Sequence, residues 1–299
     1  AAARKNILLD KVRGPHIALK QAVVDHDALD AGAATGFEQA RNGFKIRGPV
    51  FAPHGFDHFN RADGVVRCLA DTFRMNDLPS SAATAATPFT DCDHPDVIAF
   101  AQQHAQGSDA RERAVALSLA VRDGFHYDPY RIDLSPHGMR ASTVLSQGYG
   151  WCVPKAVLLA AACRAVGIPA RLGFADVRNH LSTARRRETM ATDVFLWHGY
   201  ADICLDGHWV KATPAFNIEL CERFGLLPLN FDGRADSIYH AFDRAGNRHM
   251  EYVRQRGNFD DLPLADITQD FLDVYGPAML DAGTQAGADF QQDVDKEVQ

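Results

Sequence analysis

Gly148-Tyr149-Gly150-Trp151-Cys152-Val153-Pro154-Lys155-Ala156-Val157-Leu158-Leu159-Ala160-Ala161-Ala162-Cys163-Arg164-Ala165-Val166-Gly167 is a glycine-rich turn running into an apolar helix. Leu and Ala are strong helix formers, Pro154 suits a first turn, and Gly167 suits the position just past the end. Because the helix is apolar nearly all round, it is expected in the middle of a domain rather than on its surface. The turn delivers Cys152 to the helix start, where outward-pointing N–H groups and the positive end of the helix dipole favour a thiolate. Cys152 is therefore the candidate nucleophile. The competing reading is a buried structural cysteine, the usual fate of a free Cys.

A thiol nucleophile needs a base, and His198 is the candidate. The run Val194-Phe195-Leu196-Trp197-His198-Gly199-Tyr200-Ala201-Asp202-Ile203-Cys204-Leu205 reads as a strand. Its odd positions, from Phe195 and Trp197 to Leu205, make an apolar or small face, and His198, Tyr200 and Asp202 share the other. Asp206-Gly207 is a two-residue hairpin signal, after which His208-Trp209-Val210-Lys211-Ala212-Thr213 returns as the partner strand. If Leu205 and His208 flank the turn, Asp202 lies opposite Lys211 and is expected to pair with it. Tyr200 then faces Thr213, and Thr213 is diagonal to His198 on one face.

Together these segments resemble the transglutaminase-like branch of the papain-type cysteine enzymes. The resemblance rests on the Gly-x-Cys turn before a helix, on Arg164-Ala165-Val166-Gly167-Ile168-Pro169-Ala170-Arg171, and on the His-containing hairpin ending in Leu-Asp-Gly-x-Trp. It covers roughly residues 88 to 265. The run from His249-Met250-Glu251-Tyr252 to Asp261-Leu262-Pro263 resembles the tail of bacterial transglutaminase-domain proteins. The family places a Cys at the helix start, a His on the next strand and an Asp on the strand after it, commonly in a Trp-x-x-x-Asp-Pro-Thr run. Cys152 and His198 match. The third position holds Thr213, followed by Pro214, where Asp is expected. A threonine hydroxyl accepts a hydrogen bond from an imidazole N–H but supplies no charge to an imidazolium. Asn217 offers an amide oxygen as the competing orienting group.

The resemblance implies an α+β fold with the cysteine helix packed on an antiparallel sheet that carries the histidine. It also implies thiol acyl chemistry. His198 takes the Cys152 proton, the thiolate attacks an amide or ester carbonyl of a substrate that includes peptides or proteins, and the Cys152 N–H holds the oxyanion. Release of the acyl-enzyme by water makes a protease, peptidase or amidase, the first reading; release by an amine makes a transglutaminase-type acyltransferase. A non-catalytic scaffold using the same groove is the alternative that Thr213 motivates.

Other residues are read around this pair. Gln147 is a second oxyanion candidate, with a plain polar loop residue as the rival reading. Trp151 and Tyr200 are expected to wall the substrate site. The segment after Gly173-Phe174-Ala175-Asp176-Val177 carries Arg178, Asn179, Arg185, Arg186 and Arg187 before the His198 strand. A solvated loop is the first reading, and a rim that binds a substrate carboxylate through Arg178 and Asn179 is the functional one.

The chain of 299 residues, 46% hydrophobic and 23% charged, is long enough for one large core with an appendage. Residues 1–87 are expected to be an N-terminal extension, ending in the linker-like Ser80-Ser81-Ala82-Ala83-Thr84-Ala85-Ala86-Thr87, and residues 88–299 the catalytic domain with a tail. Pro95 to Gln106, capped by Asp93, and Ala110 to Arg122 read as helices. A net charge of −7 argues against nucleic acid as partner. No apolar run approaches a membrane span and no secretory segment opens the sequence. Six cysteines scattered without a disulfide framework make a reducing cytoplasm the default expectation. No cofactor is expected, and no metal, since Cys92-Asp93-His94 lacks a second ligand pair and His54 and His58 read as loop histidines.

Overall fold

The cysteine helix is the axis on which the other elements pack. The computed structural model describes residues 79–179, 183, 190, 192–238, 244–246, 249–277 and 289–297, which fall within one compact unit, Arg67–Gln299. The readings made on residues 1–78, on His54 and His58, and on Arg185, Arg186 and Arg187 lie outside the described residues. In chain order the elements are α1 (Pro95–His104), α2 (Ala110–Gly124), β1 (His126–Tyr127), α3 (Ala141–Gln147), β2 (Tyr149–Gly150), α4 (Cys152–Ala165), β3 (Ala170–Asn179), β4 (Val194–Leu205), β5 (His208–Ala212), α5 (Ile218–Arg223), β6 (Met250–Phe259), α6 (Leu264–Tyr275) and α7 (Phe290–Glu297). A four-stranded antiparallel sheet, in the order β5-β4-β3-β6, lies against α4, with α1, α2 and α3 on the helix's other sides. This is the α+β arrangement expected of a papain- or transglutaminase-like domain.

From Cys152 to Arg164 every residue of α4 is buried. Two of them are cations, which an apolar environment tolerates only with full hydrogen bonding. Lys155 Nζ donates to the carbonyls of Arg122 (2.9 Å), Phe125 (2.7 Å) and Ala215 (2.8 Å). Arg164 donates from Nε to Ala170 O (2.8 Å) and from its terminal nitrogens to Ala85 O (2.9 Å), Thr90 Oγ1 (3.0 Å) and Asp260 O (2.6 Å). Backbone carbonyls from distant segments thus pin the helix at both ends. The contact to Ala85 changes the reading of residues 80–87. They do not run as a free linker: Ser81–Thr84 form a 3₁₀ turn, Ala83 is buried, and Arg164 binds the following carbonyl.

The hairpin has the expected register, with Leu205 opposite His208 and Asp202 opposite Lys211. Three local readings are corrected. The cap of α1 is His94, whose Nδ1 accepts from the Asp96 N–H (3.3 Å), rather than Asp93. Asp202 bonds Arg171 (2.8 Å) across to β3, while Lys211 turns outward to Asp236 (3.1 Å). Burial raises the Asp202 pKa, and the Arg171 bond opposes it.

The third correction concerns strand alternation. His198 pairs with Ala175, but Phe195 pairs with Val177, so β4 spends three steps where β3 spends two. That extra residue is a β-bulge, and it moves Phe195 to the face of His198. Trp197, inside the bulge, has φ +58°.

Candidate active site

The turn before Cys152 is built by backbone geometry. Gly148 ends α3 in the left-handed conformation (φ +78°), which glycine adopts without steric cost. Tyr149–Gly150 then pair in parallel with His126–Tyr127, and the Asp128 N–H donates to Gly150 O (3.2 Å). Trp151 is the N-cap residue and Cys152 the first residue of α4. A side chain at Gly150 would meet Lys155 Cγ at 3.2 Å and Pro154 Cγ at 3.4 Å, so the turn folds tightly back on the helix it starts.

His198 arrives from the sheet. The residue after it, Gly199, packs on the residue after Cys152: a Cβ at Gly199 would stand 3.0 Å from Val153 Cα and 3.3 Å from Val153 Cγ2. Cys152 and His198 are both buried, at 6% and 5% exposure. Glycine lets β4 approach the start of α4 by backbone contact. Gly199→Ala is expected to push the strand outward, and a displacement of that kind costs about 10- to 100-fold in rate where two groups must meet. Alkylation kinetics of Cys152 beside a melting curve check this, with the rate falling far more than the stability.

Thr213 lines, with His198, Ala215, Phe216, Leu229, Ile238 and Met250, a cavity of about 10 Å³, room for one water. Its hydroxyl donates to Ile238 O (2.7 Å), and its N–H to Ser237 O (2.8 Å), so the chain leaves β4 here to follow residues 237–238. Asn217 is directed elsewhere. Its Oδ1 accepts from the Tyr127 N–H (3.3 Å) and its Nδ2 donates to Glu219 (3.3 Å), from the N-cap of α5.

A cleft of about 860 Å³ opens beside the cysteine turn, lined by Gln147, Gly148, Tyr149, Gly150, Trp151 and Pro154 on one side and by Tyr127, Asp128, Tyr130, Arg131, Asp133 and Phe290 among others opposite. Trp151 is thus a wall, with its ring also against Phe271 (5.9 Å between centroids). Exposed Gln147 lines the cleft as the last residue of α3. The other sequence candidates are held by the fold. Tyr200 is fully buried, its hydroxyl reaches Asn258 (3.4 Å) and Gln255 (3.5 Å), and burial pushes its pKa up to about 12. Arg178 binds Asp193 (2.9 Å) and Glu251 (3.0 Å), and Asn179 bonds the Asp193 carbonyl through its own N–H (3.0 Å). Neither residue lines the cleft.

Sequence reasoning missed Phe290. The first residue of α7, it stacks edge-on to Tyr127 (5.9 Å) and Tyr130 (5.2 Å), and only its apolar character in a polar tail hinted at a packed position. Among the described residues no group of three or more His, Cys, Asp or Glu is placed to hold a metal ion, and no helix is long and apolar enough to cross a membrane. Burial raises the pKa of Cys92, Cys204, Cys221 (to about 11) and Cys163 (to about 12), which keeps these four as thiols.

Residues 98–214, a stretch that spans α1 to the end of the hairpin and includes Cys152, His198 and Thr213, match the sequence model of the transglutaminase-like superfamily. No curated protein matches the chain. Among solved structures, one from Cytophaga hutchinsonii described as a "Putative Cysteine Protease" aligns with 16% identity and a TM-score of 0.34, over 59% of this chain and 53% of its own. A "Putative Protease" from Parabacteroides distasonis aligns with 21% identity and a TM-score of 0.29, over 39% of this chain and 22% of its own. The chain therefore spans about half or less of the length of these solved structures. Helix-borne cysteine, hairpin-borne histidine and a matched stretch ending just past Thr213 lead to one conclusion: residues 98–214 are a transglutaminase-like superfamily domain.

Proposed function

We propose that this cysteine-type enzyme uses Cys152 as nucleophile and His198 as base in acyl transfer to water, making it a cysteine hydrolase of amide or ester substrates. What supports the pair is the backbone contact of Gly199 with Val153, which ties the strand of His198 to the helix start of Cys152. His198 removes the thiol proton. The thiolate adds to the substrate carbonyl, and the tetrahedral oxyanion collapses to a thioester as the leaving amine or alcohol takes the proton from His198. Water, deprotonated in turn by His198, cleaves the thioester and regenerates the thiol. The outward N–H groups at the start of α4, with Gln147 at the cleft edge, are the groups proposed to hold the oxyanion. Thr213 is proposed to orient the imidazole, since it shares the small cavity with His198. Asn217 is the less favoured orienting group, being bonded to Tyr127 and Glu219.

Iodoacetamide alkylation of Cys152, followed on its peptide across the pH range, tests the pair. A rate that persists well below the ordinary thiol pKa of roughly 8.5 is expected, and His198→Ala is expected to return it to an ordinary titration. Cys152→Ser is expected to abolish turnover of an ester or amide substrate while leaving the melting temperature nearly unchanged. An ordinary thiol titration in the wild type would sink the enzyme reading and favour a scaffold.

A further inference from the structure

Among the described residues two that are not glycine have positive φ, Trp197 (+58°) and Asp206 (+52°). Asp206 sits in the hairpin turn, where Asp-Gly suits such angles. Trp197 does not: it lies inside a strand, immediately before His198, and a bulky aromatic in the left-handed region is a strained conformation that persists only when its surroundings over-determine it. The surroundings are specific. The Trp197 N–H donates to Asp176 Oδ1 (3.1 Å), and the indole Nε1–H donates to Asp270 Oδ2 (2.8 Å). The Arg256 guanidinium lies over the indole ring at 4.4 Å, and it binds both carboxylates, from Nε to Asp176 Oδ1 (2.5 Å) and from a terminal nitrogen to Asp270 Oδ2.

Every member of this cluster comes from a different element. Asp176 is on β3, Trp197 on β4, Arg256 on β6 and Asp270 on α6. Arg256 is itself an extra residue: Phe174 pairs with Gly257 and Ala175 with Gln255, so β6 bulges there, one step along β3 from the β4 bulge between Ala175 and Val177. Asp176 and Arg256 are buried or nearly so, at 5% and 11% side-chain exposure, which strengthens the charge-assisted bonds between them. Bulges beside sites re-aim the side chain that follows them. The side chain that follows this one is His198.

We propose that Arg256, with Asp176 and Asp270, forms a positioning cluster that locks Trp197 in its left-handed conformation and thereby fixes the orientation of His198 for its work on Cys152. The proposal rests on the reading of Cys152 and His198 as a thiol–imidazole pair. Arg256 touches no reacting atom in it. Its effect passes through the backbone of Trp197.

The test uses the intact chain and iodoacetamide, with Cys152 alkylation read on its peptide from about pH 5 to 9 in wild type, Arg256→Gln, Asp176→Asn and His198→Ala. Arg256→Gln is expected to slow alkylation at pH 7 about tenfold and to move the profile about one unit toward an ordinary thiol titration. Asp176→Asn keeps an acceptor for the Trp197 N–H but loses the charge that holds Arg256, so a shift in the same direction and of smaller size is expected. Asp176→Asn, nearly isosteric, decides the matter if Arg256→Gln fails to fold. Variants that melt lower yet keep the wild-type profile would reduce the cluster to a structural brace and overturn the proposal. If His198→Ala slows alkylation while the cluster variants do not, the positioning inference alone fails; if His198→Ala changes nothing, the pair fails and the inference with it.

Discussion

A Lys155→Met protein is expected to melt about 6 to 12 °C below the wild type. Methionine matches the stem of the lysine, so packing changes little, but the carbonyls of Arg122, Phe125 and Ala215 each lose their donor inside the core. A buried polar group left without its partner costs about 1–3 kcal/mol, and a domain of this size loses about 2–4 °C per kcal/mol. The lowest of these costs, taken three times, gives the stated range. Relief from burying the lysine charge offsets part of the loss, which is why the lowest cost per carbonyl is taken, and a fully buried helix start offers the carbonyls no replacement donor but the backbone.

The same lysine has a pH signature. Burial lowers its pKa to about 7, against roughly 10.4 in the unfolded chain. Between those values the unfolded chain holds more protons than the folded one, so the Lys155 contribution to stability rises with pH across that window and is flat below about pH 7. Subtracting the pH dependence of Lys155→Met melts from that of the wild type isolates this slope. A methionine variant with unchanged melting temperature at all pH values would show that the three carbonyls matter little.

Gly173→Ala is expected to be nearly as damaging. Gly173 and Tyr200 are directly paired on neighbouring strands, and a methyl group at 173 would fall 2.0 Å from Tyr200 Cε2, 2.3 Å from Cζ and 2.7 Å from Asn258 Oδ1. The phenol ring lies across the glycine and is 1% exposed, so it cannot swing into solvent. Overpacking of this kind costs about 1–3 kcal/mol and more where backbone has to move. We expect about 3 kcal/mol by urea unfolding. Tyr200→Ala in the same molecule removes the clash, so the double variant should lose less than the sum of the singles; strict additivity would mean the ring and the glycine do not interact.

The legible parts of this molecule were those with local signals. The cysteine helix announced itself through Leu and Ala content between Pro154 and Gly167, and the Asp206-Gly207 turn set the hairpin register by chain geometry alone. Non-local facts were hidden. Lys155 and Arg164 interrupt the apolar helix without disrupting it, because their partners are carbonyls far along the chain that no periodicity reports. The β4 bulge was invisible because perfect alternation from Phe195 to Leu205 has no mark for an extra residue; the groups that bond to it are a carboxylate on β3 and, through that carboxylate, an arginine on β6. Strand β6 itself carries Glu251, Arg254 and Arg256 around an exposed middle, Val253 to Gln255, so its pattern resembles a solvated segment more than a strand. For the proposed site, Cys152, His198 and Thr213 are candidates read from motif, while Phe290, a wall of the cleft, depends on the packing of residues 290–297 against Tyr127 and Tyr130, which sequence does not encode locally.

Among the described residues strand β6 is an edge of the sheet, and a flat edge with free hydrogen-bonding groups recruits strands from other molecules. This edge is neither flat nor neutral. Register breaks at Val253 and Arg256 put two kinks in ten residues, Gly257 adds a left-handed turn of the backbone (φ +97°), and a basic side chain stands exposed at 254. A second chain laid along it would meet only short stretches of matched donors and acceptors before losing register. The irregularity that brings Arg256 to Trp197 therefore also guards the sheet against growing from molecule to molecule, and straightening β6 by deleting either extra residue would create a surface prone to aggregate.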